Sequence, residues 1–306
     1  MRNHNKTVIY RQDYRPPNAE ILMVDLDIAL SPMQTRIYAD LHIRMCGDGP
    51  LFLHGQDLYL QTIAIDKVAL VAGDYTHDET GLTLHAPPQE FHLQTNVIIA
   101  PCHNTHLEGI YLSDGIYTTQ CEPEGFRHIS FMLDRPDVSA AYQVMLTVDD
   151  PNIGDDFVLL SNGNPGSSGR DSLGRRYAFW FDPFPKPTYL FAIVAGEMGL
   201  LHDQFIKCDG RDVGLYIYYP PSMPGRAHYA MDALKRAMRW DEERFGLEYD
   251  LERFHIVAID DFNMGAMENK SLNIFNAKYL LADPQSATDD DYGFVESIVA
   301  HEYFHN

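Results

Sequence analysis

The chain has 306 residues, with 44 Asp+Glu against 23 Lys+Arg, a formal net charge of −21 and 45% hydrophobic residues. That is the composition of a soluble globular protein of roughly two domains, and its acidic surface repels phosphate backbones, which argues against nucleic acid as a main partner. No run of about 18 apolar residues exists, so no transmembrane helix and no membrane partner are expected. Residues 1–15 also lack the apolar core of a signal peptide. Cys46, Cys102, Cys121 and Cys208 form no C-x-x-C pair, so neither a disulfide scaffold nor a cysteine metal site is suggested. That usage fits a reducing compartment, and the expected location is cytoplasmic.

The first two-thirds of the chain reads as strands. Thr35–Met45 alternates strictly, with Ile37, Ala39, Leu41, Ile43 and Met45 on one face and Arg36, Tyr38, Asp40, His42 and Arg44 on the other. Residues 58–65, 81–85, 91–99, 142–148, 157–160 and 176–181 are further strand candidates. Turn-forming clusters separate them, notably the Gly/Ser/Asn-rich 161–169. Many short strands joined by turns predict a mainly β N-terminal domain of antiparallel sheets. A proline-rich approach over 182–188 then leads into one more strand at 189–194.

Beyond that point helices enter. A strand over 214–219 is followed by a Pro/Gly break at 220–225 and a helix. In that helix Ala230, Leu234, Ala237, Met238, Asp241 and Phe245 are spaced by three and four, which marks one largely apolar face. Residues 254–259 form a short β-run, and 261–269 a loop or strand edge. The last helix starts near Thr288, with Asp289, Asp290 and Asp291 suited to a helix N-terminus. It runs through Phe294, Val295, Ile298 and Val299 to the end of the chain.

That helix carries His301-Glu302-Tyr303-Phe304-His305, an H-E-x-x-H pattern. Histidines four apart on a helix project from one face, one turn apart, so both can reach a single zinc ion at about 2.0–2.1 Å. Glu302 lies beside them, in reach of a zinc-bound water whose pKa the metal lowers, and can take its proton. Two histidines leave the ligand set short of the usual three. An upstream acid such as Glu268 is a candidate for the third.

A second candidate segment is Met264-Gly265-Ala266-Met267-Glu268-Asn269, which follows the 254–259 strand. Small residues at 265 and 266 let a peptide approach and pair as an added strand, and Glu268 then offers a carboxylate to a substrate amine.

Taken together, Gly265-Ala266-Met267-Glu268-Asn269 and the H-E-x-x-H pattern resemble the aminopeptidase N family of zinc metallopeptidases, bacterial branch. Gln120-Cys121-Glu122-Pro123-Glu124-Gly125-Phe126-Arg127, Leu133-Asp134-Arg135-Pro136-Asp137-Val138, Leu160-Ser161-Asn162-Gly163 and the 182–187 and 240–250 segments extend the resemblance over most of the chain. So does Asn273-Ile274-Phe275-Asn276. The resemblance implies a saddle-like β-domain over 1–197, followed by the truncated start of a thermolysin-like α/β catalytic domain over 198–306.

The same resemblance implies roles. His301 and His305 are zinc ligands, Glu302 is the general base, and Glu268 with Glu122 binds the free α-amine of a peptide. Gln120 and Met264 line the pocket for the first side chain, and the 265–269 segment, Met267 and Asn269 included, holds the peptide. It further implies a third zinc ligand, a Glu, beyond Asn306. The expected activity is removal of neutral or basic N-terminal residues in peptide catabolism, with these 306 residues alone expected to be poorly active. A non-catalytic peptide-binding protein that keeps the amine-binding acids is the alternative from another class. An epoxide hydrolase of the same family is a second, and nothing in the sequence favours it.

Overall fold

The computed structural model describes residues 10–305, so part of the N-terminal stretch read for a signal peptide, and Asn306, lie outside the described residues. The Thr35–Met45 strand forms where the alternation predicts it, and Ile37, Ala39, Leu41 and Ile43 are buried. It lies inside an eight-stranded sheet, between Ala19–Leu30 and Glu90–Ile99. The Ala19–Leu30 strand lies outside the strands read from the sequence, although Val24, Leu26, Ile28 and Leu30 alternate with Asp25, Asp27 and Ala29. A bulge between Ile21 and Met23 shifts the inward set from Ala19 and Ile21 to Val24, Leu26, Ile28 and Leu30, so no single period-2 register spans the segment. This strand also pairs in parallel with Ser139–Val148, which makes the sheet mixed where antiparallel pairing was expected throughout.

The Gly/Ser-rich 161–169 stretch is another difference. Its greater part is not a turn but belongs to the strand Asn164–Arg170, paired with Arg176–Pro187 at the edge of the large sheet. An exposed edge strand needs no apolar face, so it leaves no hydrophobic pattern to read. The Arg176–Pro187 strand runs through the proline-rich segment. The strand expected over 189–194 is replaced by a short 3-10 turn, Thr188–Leu190, and a strand at Ile193–Glu197.

A four-stranded sheet orders Phe157–Ser161, Ile193–Glu197, Ile116–Gln120 and Gly109–Ser113. Every residue of Ile116–Gln120 is buried, so this strand carries Gln120 and the following Glu122 into the joint between the two halves of the chain.

The second half is a five-stranded sheet ordered Gly199–Ile206, Asp212–Tyr219, Arg253–Ile259, Leu272–Asn276 and Ala266–Met267. Its two faces bury different things. Val257, Ile259, Leu272, Ile274 and Met267 join the hydrophobic core of the β-domain. Ile256, Ala258 and Phe275 pack instead with helix α1 (His228–Phe245) and helix α2 (Asp289–Phe304). The α1 face that packs is Ala230, Met231, Leu234, Met238 and Glu242. Phe245, expected on that face, is exposed beside the left-handed cap at Gly246. In α2, Val295 and Val299 are buried, whereas Phe294 points outward. No helix among the described residues is long and apolar enough to cross a membrane.

Candidate active site

Helix α2 begins where the sequence places it. Thr288 is the N-cap: its hydroxyl accepts from the Asp291 amide at 3.2 Å, and the Asp291 carboxylate accepts from the Thr288 amide at 2.8 Å. Val295 and Val299 anchor one face in the core, and Glu302 and Tyr303 are buried one turn further on. That rotation leaves His301 and His305 on the accessible side. Their Nε2 atoms are 3.3 Å apart, and the rings are nearly perpendicular at 80°.

The edge of the five-stranded sheet delivers the next groups. Ala266–Met267 pairs with Leu272–Asn276 and with nothing on its other side among the described residues. Gly265 is open, its nearest neighbour in the Cβ direction being Tyr279 at 3.9 Å, and Met264 beside it is exposed. The Met267 side chain is instead fully buried in the core, and Asn269 is buried within its own turn, where its carbonyl accepts from the Leu272 amide at 2.9 Å. These two residues therefore shape the hairpin, while Glu268 between them reaches the histidine helix. Glu268, Glu302 and His305 each offer a ligand atom, and these atoms all lie within 4.8 Å of one another.

The β-domain contributes the remainder. Gln120 is buried; its Nε2 donates to the Glu122 carbonyl at 3.3 Å, and its Oε1 has no partner among the described residues. Glu122, on the other side of the joint, is within electrostatic reach of this cluster, repelled by Glu268 and attracted by His305. Burial, and after it the charge of Glu268, push the Glu122 carboxyl above the usual carboxylate range. Glu302 is pushed further, to about 7, by burial first and then by Glu268 and Glu122. Three carboxylates from three elements thus converge beside two imidazoles.

Hydrogen bonds between the halves hold this convergence in place. The Ser113 hydroxyl donates to the Asp261 carboxylate at 3.2 Å and accepts from the Asp261 amide at 3.1 Å, just ahead of Met264. The Tyr111 hydroxyl donates to the Asp261 carbonyl at 3.1 Å. Sequence reading did not find Ser113, Tyr111 or Asp261, because a contact between remote segments leaves no local pattern.

Imidazole nitrogen and carboxylate oxygen are the donor types of zinc sites. Two nitrogens bound to one tetrahedral ion at about 2.0–2.1 Å are about 3.3 Å apart, so the observed His301–His305 separation fits a shared ion. Both Nε2 atoms must then be unprotonated.

The sequence itself matches known proteins at this point. The Peptidase M1 N-terminal domain description matches residues 10–190, and the Peptidase family M1 domain description matches residues 229–306. The chain belongs to the M1 peptidase family. It is 51% identical to the Aminopeptidase N of Caulobacter vibrioides over 308 residues, covering 100% of this chain and 35% of that protein. The Aminopeptidase N of Escherichia coli is 47% identical over 299 residues, covering 97% of this chain and 34% of that protein. Among solved structures, Legionella pneumophila aminopeptidase A in complex with aspartic acid superposes with a TM-score of 0.90 at 32% identity, over 96% of this chain and 35% of that one. The chain therefore spans about a third of the length of the relatives it matches. These likenesses agree with the family, and with the β-rich domain followed by the start of a catalytic domain, that the motifs imply.

Proposed function

We propose that the whole protein is a zinc-dependent aminopeptidase that removes neutral or basic residues from the N-terminus of peptides. The supporting observation is the convergence of Glu122, Glu268 and Glu302 on the His301–His305 pair, at the end of an unpaired sheet edge. We place the β-domain at 1–197 and the start of the catalytic domain at 198–306.

His301 and His305 would hold the zinc, and Glu268, whose carboxylate lies within 4.8 Å of a ring nitrogen of His305, would stand beside them. Zinc supplies Lewis-acid polarisation of the scissile carbonyl and makes the attacking water more acidic. Glu302 takes the proton from that water and passes it to the leaving amine. Burial beside Glu268 and Glu122 raises the proton affinity of this carboxyl, which suits it to accept and return a proton. Glu122 and Glu268 hold the substrate α-ammonium by charge-assisted hydrogen bonds, so the chain end sits at a fixed place and cleavage is confined to the first residue. The backbone at Gly265 and Ala266 pairs with the peptide as an added strand. Gln120 and Met264 line the pocket for its first side chain. The excess of carboxylates disfavours an acidic side chain there.

The test is hydrolysis of an alanyl anilide by the natural gene product. Release of alanine that a chelator abolishes and zinc restores, with no cleavage of the N-acetylated anilide, is the expected result. Equal cleavage of both anilides, or indifference to the chelator, would sink the reading.

A further inference from the structure

Asn162 and Gly163 lie just past the Phe157–Ser161 strand of the β-domain, yet they bond to the catalytic half of the chain. The buried Asn162 amide uses both ends. Its Nδ2 donates to the Lys270 carbonyl at 2.7 Å and to the Leu190 carbonyl at 3.0 Å, and its Oδ1 accepts from the Ala192 amide at 2.7 Å. The Gly163 amide donates to the Ser271 hydroxyl at 2.7 Å. Lys270 and Ser271 close the four-residue turn that starts at Glu268 and joins Ala266–Met267 to Leu272–Asn276.

This turn is under tension. Ser271 is fully buried and adopts a left-handed φ of 60°, a conformation that a serine holds only when its surroundings over-determine it. Gly163 has φ 89°, and a Cβ there would stand 2.3 Å from the Phe181 carbonyl oxygen. Only glycine lets the backbone come close enough to present its N–H to Ser271. Inside the turn, the Asn273 side chain donates to the Asn269 carbonyl at 2.9 Å. Glu268 therefore projects from a turn whose far end is fastened to the domain that carries Glu122.

We propose that Asn162 and Gly163 are positioning residues: by fastening the Glu268–Ser271 turn to the β-domain they hold the Glu268 carboxylate opposite Glu122, and so set affinity for the substrate amine. This rests on the reading of Glu268 as an amine-binding residue. Asn162 has a further part in it, because the same amide grips the chain at Leu190 and Ala192, next to Tyr189, whose phenol feels the charges of both Glu268 and Glu122.

The test is steady-state kinetics of the natural gene product on an alanyl anilide. Asn162→Asp keeps the oxygen that accepts from Ala192 and removes both donors. Ser271→Gly keeps the left-handed turn without cost and removes the hydroxyl. With Glu268 present, each substitution is expected to raise KM about 10-fold while kcat changes less than about twofold, the scale of losing an outer support of a site group. In a Glu268→Gln background the same substitutions are expected to change KM less than about twofold, because the group they position is gone.

An unchanged KM with Glu268 present would overturn the proposal, and so would the same rise persisting in the Glu268→Gln background, which is the mark of a general structural effect. If Asn162→Asp does not fold, Ser271→Gly decides. If Glu268→Gln alone leaves KM unaltered, the amine-binding reading falls, and this inference with it.

Discussion

His301 and His305 bring their Nε2 atoms to 3.3 Å across one turn of α2, with the rings 80° apart. Neither side chain is buried, so what aims them is the helix itself, fixed by Val295, Val299 and Tyr303 in the core. A helix held on one face presents the opposite pair without further support.

Zinc binding should depend on that pair. Replacing either His301 or His305 by Ala is expected to weaken zinc affinity by at least about tenfold, since one imidazole and water then compete with a two-point site. Competition against a chromophoric chelator measures this. Affinity unchanged by both substitutions would place the metal elsewhere.

Glu302→Gln is expected to lower kcat of the natural gene product by about 10²–10⁴-fold, the usual contribution of a general base. Zinc content should stay near that of the unsubstituted protein, because the two imidazoles are untouched. Metal analysis of the purified variant alongside its kinetics separates loss of the base from loss of the ion.

Amine recognition should fail differently. Glu122→Gln and Glu268→Gln are each expected to raise KM for free-amine anilides by roughly tenfold or more, the loss of a charge-assisted contact of about 1.5–3 kcal/mol. Zinc content should not move. A KM unaffected by either change would remove that residue from the amine site.

Acid stability should report His255. It is fully buried against Trp180, Tyr216 and Tyr218, with neither ring nitrogen hydrogen-bonded among the described residues. Burial, and then the charge of Arg253, lower its pKa from the ordinary 6.5 to about 3. Between these values the unfolded chain binds a proton that the folded one refuses. Stability from this group is therefore complete above pH 6.5 and lost as pH falls towards 3, at about 1.4 kcal/mol per pH unit. His255→Phe is expected to flatten that slope in urea unfolding measured at pH 7 and pH 5. An unaltered slope would show that His255 takes up its proton in the fold.

The start of α2 offers a local test. Thr288→Ala removes the hydroxyl of the capping box and is expected to cost about 1 kcal/mol, read as a lower urea midpoint with unchanged slope. A change below about 0.3 kcal/mol would mean that packing alone fixes the helix start.

Local pattern was sufficient for much of this molecule. Strict alternation located Thr35–Met45, and the cap residues located α2, whose His301–His305 spacing put both imidazoles on one face. These features depend on residues a few positions apart, whose geometry the backbone repeat dictates. The edge strand Asn164–Arg170 was not legible, because a solvated edge carries no hydrophobic period, and in Ala19–Leu30 the bulge at Ile21–Met23 hid the strand's start but left residues 24–30 alternating.

The site divides along the same line. Its groups lie in three short segments, 120–122, 264–269 and 301–305, and the family resemblance implied that Glu122 and Glu268 act together, but no periodicity or spacing did. Glu122 and Glu268 come from separate halves of the chain, and only the joint sealed by Ser113–Asp261, Asn162–Lys270 and Gly163–Ser271 sets them at one cluster. The raised pKa of Glu302 likewise belongs to burial and to two remote carboxylates. Periodicity and spacing act within an element. Burial, charge coupling and the strained turn at Ser271 arise only when elements pack, and so tertiary structure alone decided them.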